Sequence, residues 1–298
     1  DHISTVVDSI SEAEFFPLTL PDGFAIPPRV EHSTLIAEVF NHADYAAEWQ
    51  GIPGRSQKLP IGRYDDAKGQ LLVGNDQISA VKVPDGVSLE TAAAVLLKGM
   101  TAEFLVRRCF HVKHGDLVLV HAAAGGVGQI LVQWCKALGA TVIATAGGEA
   151  KLTLARELGA DHVVDYGRED VAARVAEITG GQGVAVVYDG VGKDTWDASF
   201  KSLARRGMLV TFGNASGPVP PFAPLELSGK SLFVTRPRLF DYIATTGELD
   251  ESAEALFAVL SSGAVKIDIG QTFPLAEARA AHEALEGRRT TGATLLIP

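Results

Sequence analysis

The chain has 298 residues, 47% of them apolar and 21% charged, which suits one large α/β domain or two modest ones. A formal net charge of −10 argues against nucleic acid as the main partner, because phosphate backbones select basic surfaces. Two cysteines, Cys109 and Cys135, exclude a disulfide framework and a cysteine-rich zinc site, and no run approaches the roughly 18 apolar residues of a membrane span. No signal peptide is visible, which places the protein in the cytoplasm; the start at Asp1 rather than Met reads as a trimmed or incomplete N-terminus.

Residues 1–95 are irregular and proline-rich (Pro17, Pro21, Pro27, Pro28, Pro53, Pro60, Pro84) and read as a mainly β region. From Gly115 to about Pro237 short apolar runs alternate with helical patterns. Leu117–Ala123, Thr141–Thr145, His162–Asp165, Val184–Tyr188, Leu209–Phe212 and Ser231–Val234 read as strands, with helices starting near Val127, Glu149, Asp170 and Thr195. That rhythm predicts an α/β fold, a doubly wound parallel six-stranded Rossmann sheet. Residues 248–262 have helical periodicity and stop at Gly263. A strand near Ile267–Phe273, a helix Leu275–Glu286 and a last strand Thr294–Ile297 follow. The expected organisation is a substrate lobe over 1–95, a nucleotide domain over 96–240, and a C-terminal helix and segment over 241–298 that returns to the N-terminal lobe.

The first strand of the rhythm runs into His121-Ala-Ala-Ala-Gly-Gly-Val-Gly128. Ala123, Gly125 and Gly128 occupy the three positions of the dinucleotide fingerprint G-x-G-x-x-G, with alanine in the first. A small first residue permits the tight turn, Gly125 lets the backbone approach a pyrophosphate, and Gly128 lets the helix pack on the strand. The helix N-terminus then offers N–H groups to the phosphates. Cys135, among Ile130, Leu131 and Leu138 of that helix, reads as core.

In an NAD site a carboxylate at the tip of the second strand, about 20 residues on, grips the ribose. Here that tip is Ala146-Gly147-Gly148, followed by Glu149 and Lys151. A small tip beside a cation suits a 2′-phosphate, so the sequence favours NADPH; Lys151 by position alone is equally a solvated helix residue.

Several segments together closely resemble one family: Leu97-Lys-Gly-Met-Thr-Ala102, His121–Gly128, Val187-Tyr-Asp-Gly-Val-Gly192, Thr211-Phe-Gly-Asn-Ala-Ser-Gly217, Val234-Thr-Arg-Pro237 and Gly287–Pro298. They resemble the NADPH:quinone oxidoreductases, the zeta-crystallin-like, zinc-independent branch of the medium-chain dehydrogenases, over about Val83 to Pro298. The resemblance implies a cytoplasmic homodimer with a GroES-like second domain, passing a hydride from NADPH to a quinone or activated enone. It implies that Gly125, Gly126, Val127 and Gly128 hold the pyrophosphate. Lys151, Tyr166 and Arg288 would surround the 2′-phosphate beside Gly147. Phe212, Gly213 and Asn214 would lie near the nicotinamide or its ribose, with Lys98 and Thr101 lining the neighbouring cleft.

Zinc alcohol dehydrogenases share the superfamily, and their metal ligands come from the N-terminal domain. Residues 1–95 contain no cysteine, and His2, His32 and His42 lack ligand spacing, so no metal is expected. Without one, a quinone that accepts a hydride becomes a hydroquinone anion that water protonates, and no dedicated acid is needed. The opening residues depart from the family. Asn41-His-Ala-Asp44 resembles its Asn-x-x-Asp segment, but Tyr45 stands one place early and Ala46 follows. Asn41 and Tyr45 are the only catalytic candidates. A strand pair expected between Gly54 and Pro60 is missing, which reads as a compact variant with a shortened β lobe, a damaged reading frame or a remodelled substrate lobe. A second function class is a protein that binds NADPH with little turnover, crystallin-like, RNA-associated or redox-sensing.

Overall fold

The computed structural model describes residues 81, 83–287 and 289–297, and the backbone of three earlier strands: β1 (Phe15–Pro17), β2 (Gln57–Asp65) and β3 (Gln70–Ala80). These three form an antiparallel sheet in the order β1-β3-β2, with Gln57 opposite Ala80 and Asp65 opposite Gln70. The chain divides into two compact units. One comprises Asp1–Leu89 with Ile243–Glu251; the other comprises Glu90–Tyr242 with Ser252–Pro298. Asn41 and Tyr45 lie outside the described residues.

The larger unit is built on α1 (Leu89–Phe104), which continues as a π-helical turn at Leu105–Cys109, and on six parallel strands. In chain order these are β4 (Leu117–Val120), β5 (Thr141–Ala146), β6 (His162–Asp165), β7 (Val184–Asp189), β8 (Leu203–Thr211) and β9 (Phe233–Thr235). Between them run α2 (Gly126–Ala137), α3 (Glu149–Glu157), α4 (Val171–Ile178) and α5 (Trp196–Ser202). Near-continuous apolar runs such as Val-Leu-Val in β4 are what a parallel strand covered on both faces requires. Leu119, Ile143, Val164, Val187, Leu203 and Leu209 form the core with Trp196. Each fully buried aliphatic side chain contributes about 1.5–3 kcal/mol.

The strand order is β6-β5-β4-β7-β8-β9. Succession therefore reverses between β4 and β7, which pair directly through Val118↔Val186 and Val120↔Tyr188. A crevice opens outside the carboxyl ends of such neighbours, because their following connections depart in opposite directions.

In the parallel sheet, three strand boundaries differ from the sequence expectation by more than one residue. The first strand stops at Val120 rather than Ala123, because Ala122 takes a left-handed φ of +50°. β8 begins at Leu203, six residues before the expected Leu209; its pairing with β7 shifts register around Arg206, at φ +62°, and the exposed Arg205 and Arg206 hide the start. The last strand of the sheet begins at Phe233 rather than Ser231, whose φ is +51°.

The tail continues with α6 (Leu239–Tyr242) and α7 (Thr246–Ser261), then β10 (Ile269–Pro274), α8 (Ala278–Glu286) and β11 (Ala293–Ile297). The expected helix from Leu275 opens with a 3₁₀ turn over Leu275–Glu277. β10 and β11 pair in parallel, and Ala293 and Leu295 pack with Ala94, Ile267 and Ile269. Among the described residues no helix is long and apolar enough to cross a membrane.

One polar cluster sits in this interior. Glu103 of α1 is fully buried; its carboxylate accepts from Arg107 at 3.0 Å, from Arg108 at 2.7 Å and from the Ser252 hydroxyl at 2.8 Å. Arg108 also donates to the Tyr242 carbonyl at 2.6 Å and lies over the Tyr242 ring, which stacks on Phe104.

Candidate dinucleotide site

The glycine turn follows β4 and leads into α2. Gly125 is the N-cap and has no side chain to close the helix, so the first N–H groups of α2 stay open for a phosphate. The turn is tight: the Gly125 N–H donates to the Ala122 carbonyl at 2.8 Å, and the Ala123 N–H donates to the Thr145 carbonyl at 3.0 Å. A Cβ on Gly128 would lie 2.3 Å from the Ala122 oxygen, so α2 can pack this closely only with glycine there. A Cβ on Gly126 would meet the Lys98 side chain at 2.8 Å. Lys98 thus lies across the first residue of α2, and burial pulls its ammonium below the usual lysine value.

At the tip of β5 the backbone turns at Gly147 and Gly148, the latter at φ +84°. Tyr166, just past β6, occupies the space a Gly147 side chain would fill: a Cβ there would be 2.7 Å from the Tyr166 hydroxyl. Lys151 stands in the first turn of α3 with no ion-pair partner among the described residues, while Glu149 is held by Arg156 at 2.8 Å.

These pieces converge. A cavity of about 650 Å³ is lined by Gly125, Gly147, Lys151 and Tyr166, and also by Thr290. Arg288 lies outside the described residues. Glu169 and Asp170 border the same cavity, but both are engaged in local structure. Glu169 accepts from the Asp165 N–H and pairs with Arg174, and Asp170 caps α4 through the Ala173 N–H.

The remaining candidates are not part of this cavity's lining. Val127 and Gly128 form the first turn of α2 with Gly126. Thr101 donates its hydroxyl to the Leu97 carbonyl, one turn back in α1. Phe212, Gly213 and Asn214 follow β8 and cross the loop after β7. There is no room between them, since a Cβ on Gly213 would lie 2.4 Å from the Gly190 oxygen. Asn214 lines a separate cavity of about 220 Å³ with Trp196, Thr211, Phe222 and Arg236.

A buried polar chain that the sequence hardly marks begins in the cavity lining itself, at His121 and Thr145. The His121 ring meets the Thr145 hydroxyl through Nδ1 and the Ser199 hydroxyl through Nε2, each at 3.0 Å. Ser199 donates onward to Asp189 at 2.7 Å. The only signal for it was polar residues, His121 and Asp189, at the ends of otherwise apolar strands. Burial pulls the imidazole below the usual histidine value, and the Asp189 charge only partly opposes this. The unfolded chain therefore takes up a proton near pH 6.5 while the folded one does not, so stability falls as pH drops below about 6.5, by up to about 1.4 kcal/mol per pH unit. Melting temperatures between pH 7.5 and 5 should drop more steeply for the wild type than for His121→Gln; parallel profiles would contradict a neutral buried ring.

A six-stranded doubly wound sheet with a glycine turn at its switch point defines a dinucleotide-binding protein. Residues 126–259 match the family model described as Zinc-binding dehydrogenase. The quinone oxidoreductase of Pseudomonas aeruginosa is 47% identical over 240 residues, 80% of this chain and 72% of its own length. A 2-haloacrylate reductase of Burkholderia is 46% identical over 73% of this chain and 67% of its own. The structure of the Escherichia coli quinone oxidoreductase complexed with NADPH superposes with a TM-score of 0.72 at 45% identity, covering 80% of this chain and 73% of that one. The chain belongs to the quinone oxidoreductase family of the medium-chain dehydrogenase/reductase superfamily.

Proposed function

We propose that the protein is an oxidoreductase that transfers a hydride from NADPH to a quinone or an activated enone, without zinc. The observation that carries this reading is the tip of β5: no carboxylate stands at Ala146–Gly148, and Lys151 and Tyr166 line the cavity there. A ribose 2′-phosphate fits such a tip, which an aspartate would repel. The residues fit the cofactor. Glycines keep side chains out of the turn, α2 presents its open N–H groups, and Lys151 and Tyr166 would hold the 2′-phosphate beside Gly147, with Arg288 added by the family resemblance. Lys98 adds a cation across Gly126, and the family resemblance assigns Phe212, Gly213 and Asn214, after β8, to the nicotinamide end. When bound, NADPH supplies the hydride. The protein's own residues bind, orient and exclude water, and a reduced quinone takes its proton from solvent.

A zinc site of the cysteine type does not fit the donors present. The chain has two cysteines; burial pushes the Cys135 thiol up to about 12, and Cys109 lies against Tyr242. The family resemblance also supports a homodimer, the lack of a visible signal peptide supports a cytoplasmic location, and Asn41 and Tyr45 stay the catalytic candidates.

The test is NADPH oxidation against a panel of quinones and enones, with binding measured separately by cofactor fluorescence. Turnover with at least one acceptor is expected; tight binding with no turnover would favour a non-catalytic NADPH-binding role. Lys151→Ala combined with Arg288→Ala should weaken NADPH about a hundredfold, from two charged hydrogen bonds of about 1.5–3 kcal/mol each less screening, and NADH little. Equal losses for both cofactors would refute the 2′-phosphate assignment.

A further inference from the structure

The polar chain at the cavity wall has a definite donor order. Oδ1 of Asp189 accepts from the backbone N–H groups of Val191 and Gly192, at 2.8 and 3.0 Å. Its carboxylate also accepts from the Thr195 hydroxyl at 2.7 Å and the Ser199 hydroxyl at 2.7 Å. Ser199 has one proton, and Asp189 takes it. Toward His121, Ser199 can therefore only accept, and Nε2 of the ring must carry the hydrogen. A neutral imidazole has a single N–H, so Nδ1 is an acceptor and the Thr145 hydroxyl donates to it.

His121, Thr145, Ser199 and Asp189 are each at least 98% buried. They stand on four different elements: just after β4, in β5, in α5 and at the end of β7. Apolar side chains of the same volume would stabilise such an interior at least as well. What a hydrogen-bonded chain adds is fixed distance, because each link holds only when its partners stay within about 3 Å. The chain runs across the switch point between β4 and β7, and Val191 and Thr195, which Asp189 holds, line the 650 Å³ cavity.

We propose that His121, held as the Nε2–H tautomer between Thr145 and Ser199, is a positioning residue of the nucleotide cleft, fixing the spacing of its walls at which the cofactor is accepted. This rests on the assignment of the cavity to NADPH. His121 and Thr145 themselves border the cavity, and the role assigned to them is to hold its wall rather than to take part in the reaction.

The test combines NMR of protein labelled with ¹⁵N-histidine and NADPH titrations followed by fluorescence. The His121 signal, identified by its loss in His121→Gln, should show a protonated Nε2 and an unprotonated Nδ1. In Ser199→Ala the acceptor is gone; the proton should move to Nδ1, and NADPH should bind about tenfold more weakly, a change of about 1.4 kcal/mol. Thr145→Val should weaken binding similarly, and Thr145→Ser, which keeps the hydroxyl, should recover it to within about threefold. A simple packing role would move neither the tautomer nor the Val-to-Ser contrast. If Ser199→Ala does not fold, the Thr145 pair carries the same comparison. An Nδ1–H tautomer in the wild type, or Thr145→Val binding as tightly as wild type, would overturn the positioning role alone. A wild type that binds no NADPH would overturn the assignment of the cleft as well.

Discussion

Gly128→Ala protein is expected to bind NADPH about a hundredfold more weakly than wild type and to lose about 2–3 kcal/mol of stability. The added methyl would meet three backbone atoms: the Ala122 oxygen at 2.3 Å, the Ala123 Cα at 2.8 Å and the Ala122 carbon at 3.0 Å. None of these can swing away as a side chain would. The turn is anchored by the Gly125 and Ala123 N–H bonds, and Ala122 is already left-handed. Relief must come from pushing α2 off β4, which displaces the open N–H groups that receive the pyrophosphate. Alanine's better helix propensity returns at most about 1 kcal/mol. Gly126→Ala is the matched control. Its nearest neighbours are Cδ and Cε of Lys98, the far end of a flexible chain, so folding should change by less than about 1 kcal/mol. Denaturant unfolding and NADPH titration of the two variants make the comparison; equal behaviour would remove the close-packing role of Gly128.

Glu103→Ala should destabilise the protein by about 3–5 kcal/mol, the range for breaking a buried ion pair from one side. The carboxylate holds Arg108, whose side chain is 17% exposed and whose Nε already has no partner among the described residues. Its loss strands that guanidinium and orphans the buried Ser252 hydroxyl. The double substitution Glu103→Leu with Arg108→Leu removes both charges and should cost much less than Glu103→Ala alone. Thermal melts of both variants decide the matter. A double variant as unstable as the single would mean that Arg108 matters for its contact with Tyr242 rather than for its charge.

The alternation of β4 to β9 with helices was legible because each parallel strand carries a short apolar run, such as Leu117–Val120 in β4 or Leu209–Val210 in β8, set between helical patterns. The glycine turn was legible because its spacing is imposed by backbone geometry within eight residues, His121–Gly128. The start of β8 was not, since Ala204, Arg205 and Arg206 carry no apolar signal and join the sheet through a register shift. Nor was the polar chain of His121 or the cluster of Glu103. Ser199 lies 78 residues from His121 and Ser252 lies 149 from Glu103, and nothing local to either marks its partner.

By itself, then, the sequence determined the doubly wound sheet, the nucleotide turn and the carboxylate-free tip beside Lys151. Each depends on neighbours within a few residues, where chain geometry leaves little choice. Only the tertiary structure decided what lines one cavity and what does not. It brought Tyr166 over Gly147 and set Asn214 in a separate recess. It also gave His121 a fixed pair of partners at the cavity wall. Those outcomes depend on how strands far apart in the chain are ordered in the sheet, and that order is settled by burial of the whole apolar core rather than by any local pattern.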